Sequence, residues 1–341
     1  MKLATKDSKI LIVGGGGTIG SSTALHLARR GYKDVRLLDI FQNPSLNSAG
    51  NDNNKMAGDD NPGILGQING EAWRMWMTDP IFKDHAHNVG RLDLTSKPER
   101  EARLRSRYYK MVEEGRGDGV DWIEGQEQIV ARAPHLAHAD VSAWVYAHLR
   151  LTPEEAKALK GIATTYNHEL GFIMEPEESS LELKIVNEFS GYTHLQPCRP
   201  FGIDNDVHLS VPRSNADNPT DTISTECLDA IKKLIKLWLP HLVDRPLFKM
   251  AMCWCTDTVD MNWLLCEHPK YKGLVVATGD SGQTFKTFPV VGKQVVDLIE
   301  GLLPEDRMHL WRWRPDSGDN GTGREGQEAK DLKDVDGWKH N

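Results

Sequence analysis

A basic excess is missing: 41 Lys and Arg face 49 Asp and Glu, leaving a formal charge of -8. A dedicated nucleic-acid or anionic-membrane surface needs a positive footprint, so neither partner is expected. Long hydrophobic runs are missing too. The opening "MKLATKDSKILIVGGGG" collapses into glycines before it reaches the length of a signal peptide core or a membrane span, and a cytoplasmic protein is expected. "GWKHN" at the far end is not a Ser-Lys-Leu address, so a peroxisomal destination is unsupported. Cysteine is scarce and odd in number (Cys198, Cys227, Cys253, Cys255, Cys266), which argues against a disulfide framework. What is present is ordinary globular composition, 39% hydrophobic and 26% charged over 341 residues, long enough for two cored domains that serve a small molecule.

"KILIV" is an apolar run of strand length that ends in Gly14 to Gly17, and "SSTALHLARR" follows with helical spacing at Ala24, Leu25, Leu27 and Ala28. "DVRLLD" then reads as a second strand ending at Asp39, so the first forty residues form one β-α-β unit. Gly15-x-Gly17-x-x-Gly20 sits directly after the strand and opens the helix, where a dinucleotide fingerprint must sit. The first glycine makes the turn, the second lets a pyrophosphate approach the backbone, and the third packs helix on strand. Asp39, nineteen residues after Gly20, is placed to accept from a ribose hydroxyl, which favours FAD or NAD over NADP.

Beyond this unit, "NPSLNSAGNDNNKMAGDDNPG" reads as a long irregular loop, and "SKPEREARLRSRYYKMVEEGRGD" as one exposed, solvated helix. "LTPEEAKALK" is a capped helix with Thr152 as N-cap, Pro153 at the first position and Glu155 completing a capping box. "GFIMEPE", "LELKIVNEF" and "DVHLSVP" read as successive strands of a largely antiparallel sheet, and "TECLDAIKKLIKLWLPHL" as an amphipathic helix beside it. "GLVVATGDSG" reads as a further buried strand running through a glycine turn into the helix "FPVVGKQVVDLIEGLL"; the polar stretch from Pro315 onward reads as surface.

In "ELKIVNE" the even spacing of Glu182, Lys184, Val186 and Glu188 puts all four on one strand face, by itself the pattern of a solvated surface. "MCWCTDT" places Cys253 and Cys255 either side of a tryptophan. Zinc is one reading, since Cys266 and His268 follow, but a C-x-C pair lacks the turn that wraps a metal; buried structural thiols are another.

Taken together, "GGGGTIGSSTALHLARRGY", "SAGNDNNK", "GFIMEPE", "CWCTDT" and "ATGDSG" with "FK" resemble, in order and spacing, the fungal fructosyl amino acid oxidases (amadoriases) of the wider monomeric sarcosine, pipecolate and saccharopine oxidase family, over most of residues 9 to 314. The resemblance implies an α/β fold: a Rossmann-like FAD-binding domain of the glutathione-reductase or D-amino-acid-oxidase type, and a smaller, mainly antiparallel substrate domain. Residues 1–85 and 250–315 would form the first, 86–249 the second, and 316–341 a polar tail. It also implies roles. Gly15, Gly17, Thr18, Ile19 and Gly20 would receive the FAD pyrophosphate, Asp39 the ribose, and Lys55 and Lys286 the flavin end, with Ser48 and Gly282 as further cofactor-binding residues. Lys184 falls on the lysine credited with activating oxygen, Glu188 on the acid that holds the substrate amine, and Cys253 on the cysteine joined covalently to the flavin 8α carbon. A lysine beside a helix N-terminus suits the negative charge that a flavin gains on reduction, which agrees with Lys286.

Three departures accompany the resemblance. A block of the FAD domain is missing near residues 134–145. Gln283 and Thr284 stand where the family has His-Gly or Arg-Gly, which puts a β-branched residue in place of a glycine. The Arg-containing "GRFGG" of the family is replaced by "TGREG", with Arg324 as its stand-in. The expected function is therefore an FAD-dependent amine oxidase, a monomer that takes a small secondary or glycated amino acid and oxygen and releases hydrogen peroxide. An NAD-dependent dehydrogenase and a non-catalytic flavoprotein remnant are the alternatives.

Overall fold

The computed structural model describes residues 3–44, 48–52, 54–58, 63–95, 97–124, 128, 143–168, 170–188, 191–199, 206–315 and 329–339. In chain order its elements begin β1 Lys9–Val13, α1 Thr18–Arg29, β2 Asp34–Leu38, α2 Gly63–Thr78, β3 Arg91–Leu94, α3 Pro98–Glu113, β4 Ala143–Arg150, α4 Pro153–Ala158, β5 Thr164–Asn167, β6 Gly171–Ile173 and β7 Glu182–Glu188. They continue β8 Tyr192–Thr193, β9 Leu195–Cys198, β10 Val207–Ser210, α5 Thr225–Trp238, β11 Leu247–Ala251, β12 Leu264–Glu267, β13 Val275–Thr278, α6 Phe288–Glu300, α7 Glu305–Leu310 and β14 Lys330–Asp331. The chain divides into two units, Met1–His87 with Trp254–Glu328, and Asn88–Cys253 with Ala329–Asn341.

In the first unit β1 and β2 pair in parallel, from Lys9 opposite Asp34 to Val13 opposite Leu38, as a β-α-β crossover requires. Their inward residues Ile10, Ile12 and Val35 pack with Leu27 of α1 and with Val290, Val291, Val295 and Val296 of α6. α1 and α6 cross closely because α6 carries Gly292, where a Cβ would fall 2.1 Å from the carbonyl carbon of Ser22. The Ser22 hydroxyl locks the crossing, donating to the Phe288 carbonyl (2.6 Å) and accepting from the Gly292 amide (2.9 Å). The outward side of the same strands is bare: Leu11 is 61% exposed, Val13 76% and Leu38 55%. Parallel sheets of this class ordinarily carry cover on both faces, so half of the usual layering is missing here among the described residues. The block that the sequence lacks near residues 134–145 falls largely outside the described residues. β12 and β13 form a separate antiparallel pair. β13 is half-buried and ends exposed, which corrects the expectation of a buried strand.

The second unit is built on a six-stranded sheet of order β11-β4-β7-β6-β5-β3. β3 and β5 run parallel and the other neighbours antiparallel. Ala147, Leu149, Leu183, Ile185 and Ile173 point to one side, where Ile231, Leu234, Ile235 and Trp238 of α5 cover them. β10 does not join this sheet. Among the described residues it pairs only with β9, so "DVHLSVP" is one arm of a separate two-stranded antiparallel ladder. α3 buries none of its residues, as its charge predicts. Residues 329–339, assigned to the surface by composition, instead dock: β14 pairs with β8, Leu332 is fully buried, and Thr222 and Thr225 donate to the Trp338 and Asp336 carbonyls.

The capping box at α4 forms as expected, with the Thr152 hydroxyl accepting from the Glu155 amide (3.2 Å) and the Glu155 carboxylate from the Thr152 amide (2.7 Å). Arg245 adds two hydrogen bonds to that carboxylate, and they, with the Thr152 amide, hold its pKa down at about 2 against burial. A carboxyl depressed on folding adds stability above its unfolded pKa, and that stability disappears as pH falls through the folded value. Glu155→Gln is therefore expected to cost stability at neutral pH and to lose less than the parent chain between about pH 4.5 and about pH 2. Urea unfolding at the two ends of that range checks it; parallel pH profiles would show that Glu155 is not a pH-linked support.

Candidate active site

Each unit gathers one set of the expected residues. In the first, β1 runs into Gly14, which sits at φ 80°, and the chain turns into α1 with Gly17 as N-cap and no side-chain cap. No acidic residue lies in the first turn of α1, so the amides and positive dipole end there are unmatched by acidic side chains of the helix itself. Gly20 is packed against the turn, its missing Cβ falling 2.3 Å from the Gly14 carbonyl oxygen. Gly17 is different: a Cβ there would meet only that same oxygen, at 3.4 Å. Asp39 follows β2, and its carboxylate accepts from the amides of Gly16 (2.9 Å) and Phe41 (3.3 Å), which together hold its pKa below the usual range.

The expected flavin-end residues meet at Phe285. Ser48 caps a short 3-10 turn, accepting from the Gly50 amide at 3.2 Å, and a Cβ on Gly50 would lie 2.8 Å from the Thr18 hydroxyl and 3.7 Å from Phe285. Lys55 pairs with Asp52 at 3.0 Å and lies over the Phe285 ring, 5.5 Å from its centre. Lys286 is the next residue, half-buried, its carbonyl accepting from the Trp76 indole at 2.8 Å. Trp76, Phe82, Phe285 and Phe288 pack ring on ring and fix this turn at the entrance to α6. Thr284 is 1% exposed with φ -73°, an ordinary right-handed value, so the β-branched residue at that position strains nothing.

The C-x-C segment is irregular chain after β11, and both thiols are exposed, which removes the reading as buried structural thiols. The residues just beyond it are anchored. The Thr256 carbonyl accepts from the Ser281 amide, its hydroxyl from the Asp280 amide, and the Ser281 hydroxyl from the Thr258 amide. Thr256 and Thr258 are thereby fixed on the Gly279–Gly282 turn that leads to Lys286, with Gly282 at φ 68°. Among the described residues no group of three or more His, Cys, Asp or Glu is arranged to hold a metal ion.

In the second unit, the sheet side opposite α5 carries the chemistry. Residues paired directly across a ladder share a face, so Phe248, His148 and Lys184 line up, with Arg150 opposite Glu182 and Phe172 opposite Val186 and Tyr166. His148, Glu182 and Lys184 are 2%, 3% and 6% exposed, which overturns the solvated-surface reading of "ELKIVNE". Glu188 ends β7 opposite Ala143; its side chain, like Arg324 as a whole, lies outside the described residues. Sequence reasoning missed His148, because its place beside Lys184 follows from strand pairing alone.

An FAD fits the first unit. Its pyrophosphate suits the uncapped turn at Gly15, Gly17, Thr18 and Ile19, and a ribose suits Asp39 next to that turn. The two kinds of glycine give a test. Gly20→Ala forces backbone against backbone and is expected to destabilise the fold by roughly 1–3 kcal/mol. Gly17→Ala is expected to leave thermal unfolding of cofactor-free protein nearly unchanged while lowering the bound flavin per chain. Equal effects of the two on apoprotein stability would remove Gly17 from the cofactor.

The comparisons with known proteins agree with this geometry. A family model described as FAD dependent oxidoreductase matches residues 9–169. L-Saccharopine oxidase of Schizosaccharomyces pombe is 29% identical over 170 residues, 50% of this chain and 38% of that protein. Peroxisomal sarcosine oxidase of Homo sapiens is 34% identical over 88 residues, 26% of this chain and 22% of that one. The chain thus spans well under half the length of these curated relatives. Among solved structures, a modified fructosyl peptide oxidase from Aspergillus nidulans, in complex with FSA, superposes with a TM-score of 0.92 at 36% identity, over 99% of this chain and 100% of that one. Fructosyl peptide oxidase from E. terrenum gives 0.90 at 34%, over 99% of each.

Proposed function

The chain belongs to the FAD dependent oxidoreductases, beside the fructosyl peptide oxidases, and from that premise we propose that it oxidises the C-N bond of a small secondary or glycated amino acid to an imine and passes the electrons to oxygen as hydrogen peroxide. Bound FAD supplies the hydride acceptor. The protein's own residues bind and orient. The Gly15–Gly20 turn and the start of α1 hold the pyrophosphate, Asp39 the ribose, and Ser48, Lys55, Gly282 and Lys286 the flavin end, where Lys286 adds positive charge. Cys253 forms the covalent tether, Glu188 orients the substrate amine, and Lys184 supplies a fixed cation for oxygen. The observation that carries the reading is Lys184: a lysine only 6% exposed on the ionisable face of a sheet needs a reason to be there.

Glu188→Gln tests the substrate half. It is expected to weaken amine substrates by about 1–3 kcal/mol, the scale of a lost charge-assisted hydrogen bond, with flavin content unchanged. Peroxide formation across a panel of N-alkyl and glycated amino acids measures it, and identical turnover by both proteins would place Glu188 outside the site. A second reading, a non-catalytic remnant, draws on the bare outer face of β1 and β2, with Leu11 61% and Val13 76% exposed. Folded protein that takes up no added FAD would favour it.

A further inference from the structure

The structure points to a residue that neither the motifs nor the family resemblance singles out. Buried on the ionisable face, Glu182 carries more than one cation: Lys249 donates to both of its oxygens at 2.9 and 2.8 Å, and Arg150 lies at 3.4 Å. This pairing is built with some effort. The β11 ladder slips between Phe248 and Ala251, and at the slip Lys249 takes φ 47°, a left-handed backbone that a lysine adopts only when its surroundings compel it. The slip is what turns Lys249 toward the carboxylate. His148 stands on the same face, 2% exposed, with its Nδ1 3.3 Å from a Glu182 oxygen and Phe248 tilted against its ring at 5.9 Å. Across the ladder His148 is the direct partner of Lys184, which places their Cβ atoms about 5 Å apart.

We propose that His148 is a positioning residue for Lys184: the Glu182 carboxylate, 3.3 Å from Nδ1, favours the Nδ1–H tautomer by its charge, so that Nε2 is presented as a neutral acceptor to the lysine ammonium. This rests on the reading of Lys184 as the cation that serves oxygen. The physical logic is one of charge. A buried ammonium has three donors to satisfy, and a carboxylate that satisfied them would also cancel the charge that oxygen needs. A neutral imidazole orients the ammonium and leaves its charge intact. Glu182 is already offset by Lys249 and Arg150, so the face keeps a net positive charge at Lys184. The charged groups flanking His148 are thus Arg150 on its own strand, Glu182 and Lys184 on β7, and Lys249 on β11.

Amide replacements separate the two ring nitrogens, because an asparagine amide overlays Nδ1 and a glutamine amide reaches Nε2. In the flavin-loaded full chain, His148→Asn is expected to slow reoxidation of substrate-reduced protein by about tenfold, the scale of an outer-shell partner, with anaerobic reduction unchanged. His148→Gln is expected to stay within about twofold of the parent chain. A second readout needs no turnover: in 15N-histidine-labelled protein, the His148 signals, identified by their loss in His148→Asn, should report the Nδ1–H tautomer and should change in Glu182→Gln. Asparagine performing as well as glutamine, or an Nε2–H tautomer, would overturn the proposal. Lys184→Met serves as the control. If it slows reoxidation while His148→Asn does not, the positioning role alone fails; if it leaves reoxidation intact, the reading of Lys184 fails first.

Discussion

Lys184→Met is expected to slow the reaction of the substrate-reduced protein with oxygen by roughly 10²–10³-fold while anaerobic reduction by the amine stays nearly intact. Oxygen takes its first electron more readily beside a fixed positive charge, and a charge buried to 6% exposure acts in a medium that screens it poorly. Methionine keeps the length and the apolar stem of lysine, so the site stays filled. Glu182 on the same face keeps both of its bonds from Lys249 in this variant. Stopped-flow measurement of the two half-reactions separates the outcomes. An equal fall in reduction and reoxidation would mean that Lys184 holds the fold or the substrate and does not serve oxygen.

Cys253→Ala is expected to release all of the covalently held flavin, and Cys255→Ala none. Both thiols are exposed, so accessibility does not choose between them. The choice of Cys253 comes from the family resemblance. Thr256 and Thr258, just beyond the two cysteines, are bound to the turn at Asp280 and Ser281 that leads into Lys286. A thiolate adds to the flavin's 8α carbon only beside positive charge, which also favours its ionisation. Digestion of acid-precipitated protein should yield a single yellow peptide containing Cys253. A colourless precipitate from yellow native protein would remove the tether and leave the flavin in place.

The parts of the fold written in short-range physics were legible. Lys9–Val13 with its glycines is a strand that must turn, and Thr152, Pro153 and Glu155 carry a helix start within four residues; both formed as expected. Face assignment within a strand was also legible for Lys184, because a period of two needs no partner to be read. Features that depended on pairing were not. "DVHLSVP" has strand chemistry, yet its partner is β9 and it stays out of the main sheet. His148 has no local signature, since its meaning comes from the register that sets it opposite Lys184. The docked segment 329–339 hid behind polar composition, because Leu332 is its fully buried apolar anchor and the rest of its hold is polar: the pairing with β8, the Asp331 carboxylate accepting from the Leu195 amide, the Lys330–Glu226 ion pair, and backbone hydrogen bonds around the start of α5. Thr284 looked costly where the family has glycine, and its backbone angle shows why it is not.

The most direct test of amine oxidation by this chain is the visible spectrum of the purified protein, recorded without oxygen before and after addition of the amine panel and again after air is admitted. Flavin bands are expected that bleach with a secondary or glycated amino acid and return with oxygen as peroxide accumulates. Folded protein that is colourless after incubation with FAD, or flavin that no amine bleaches, would contradict it.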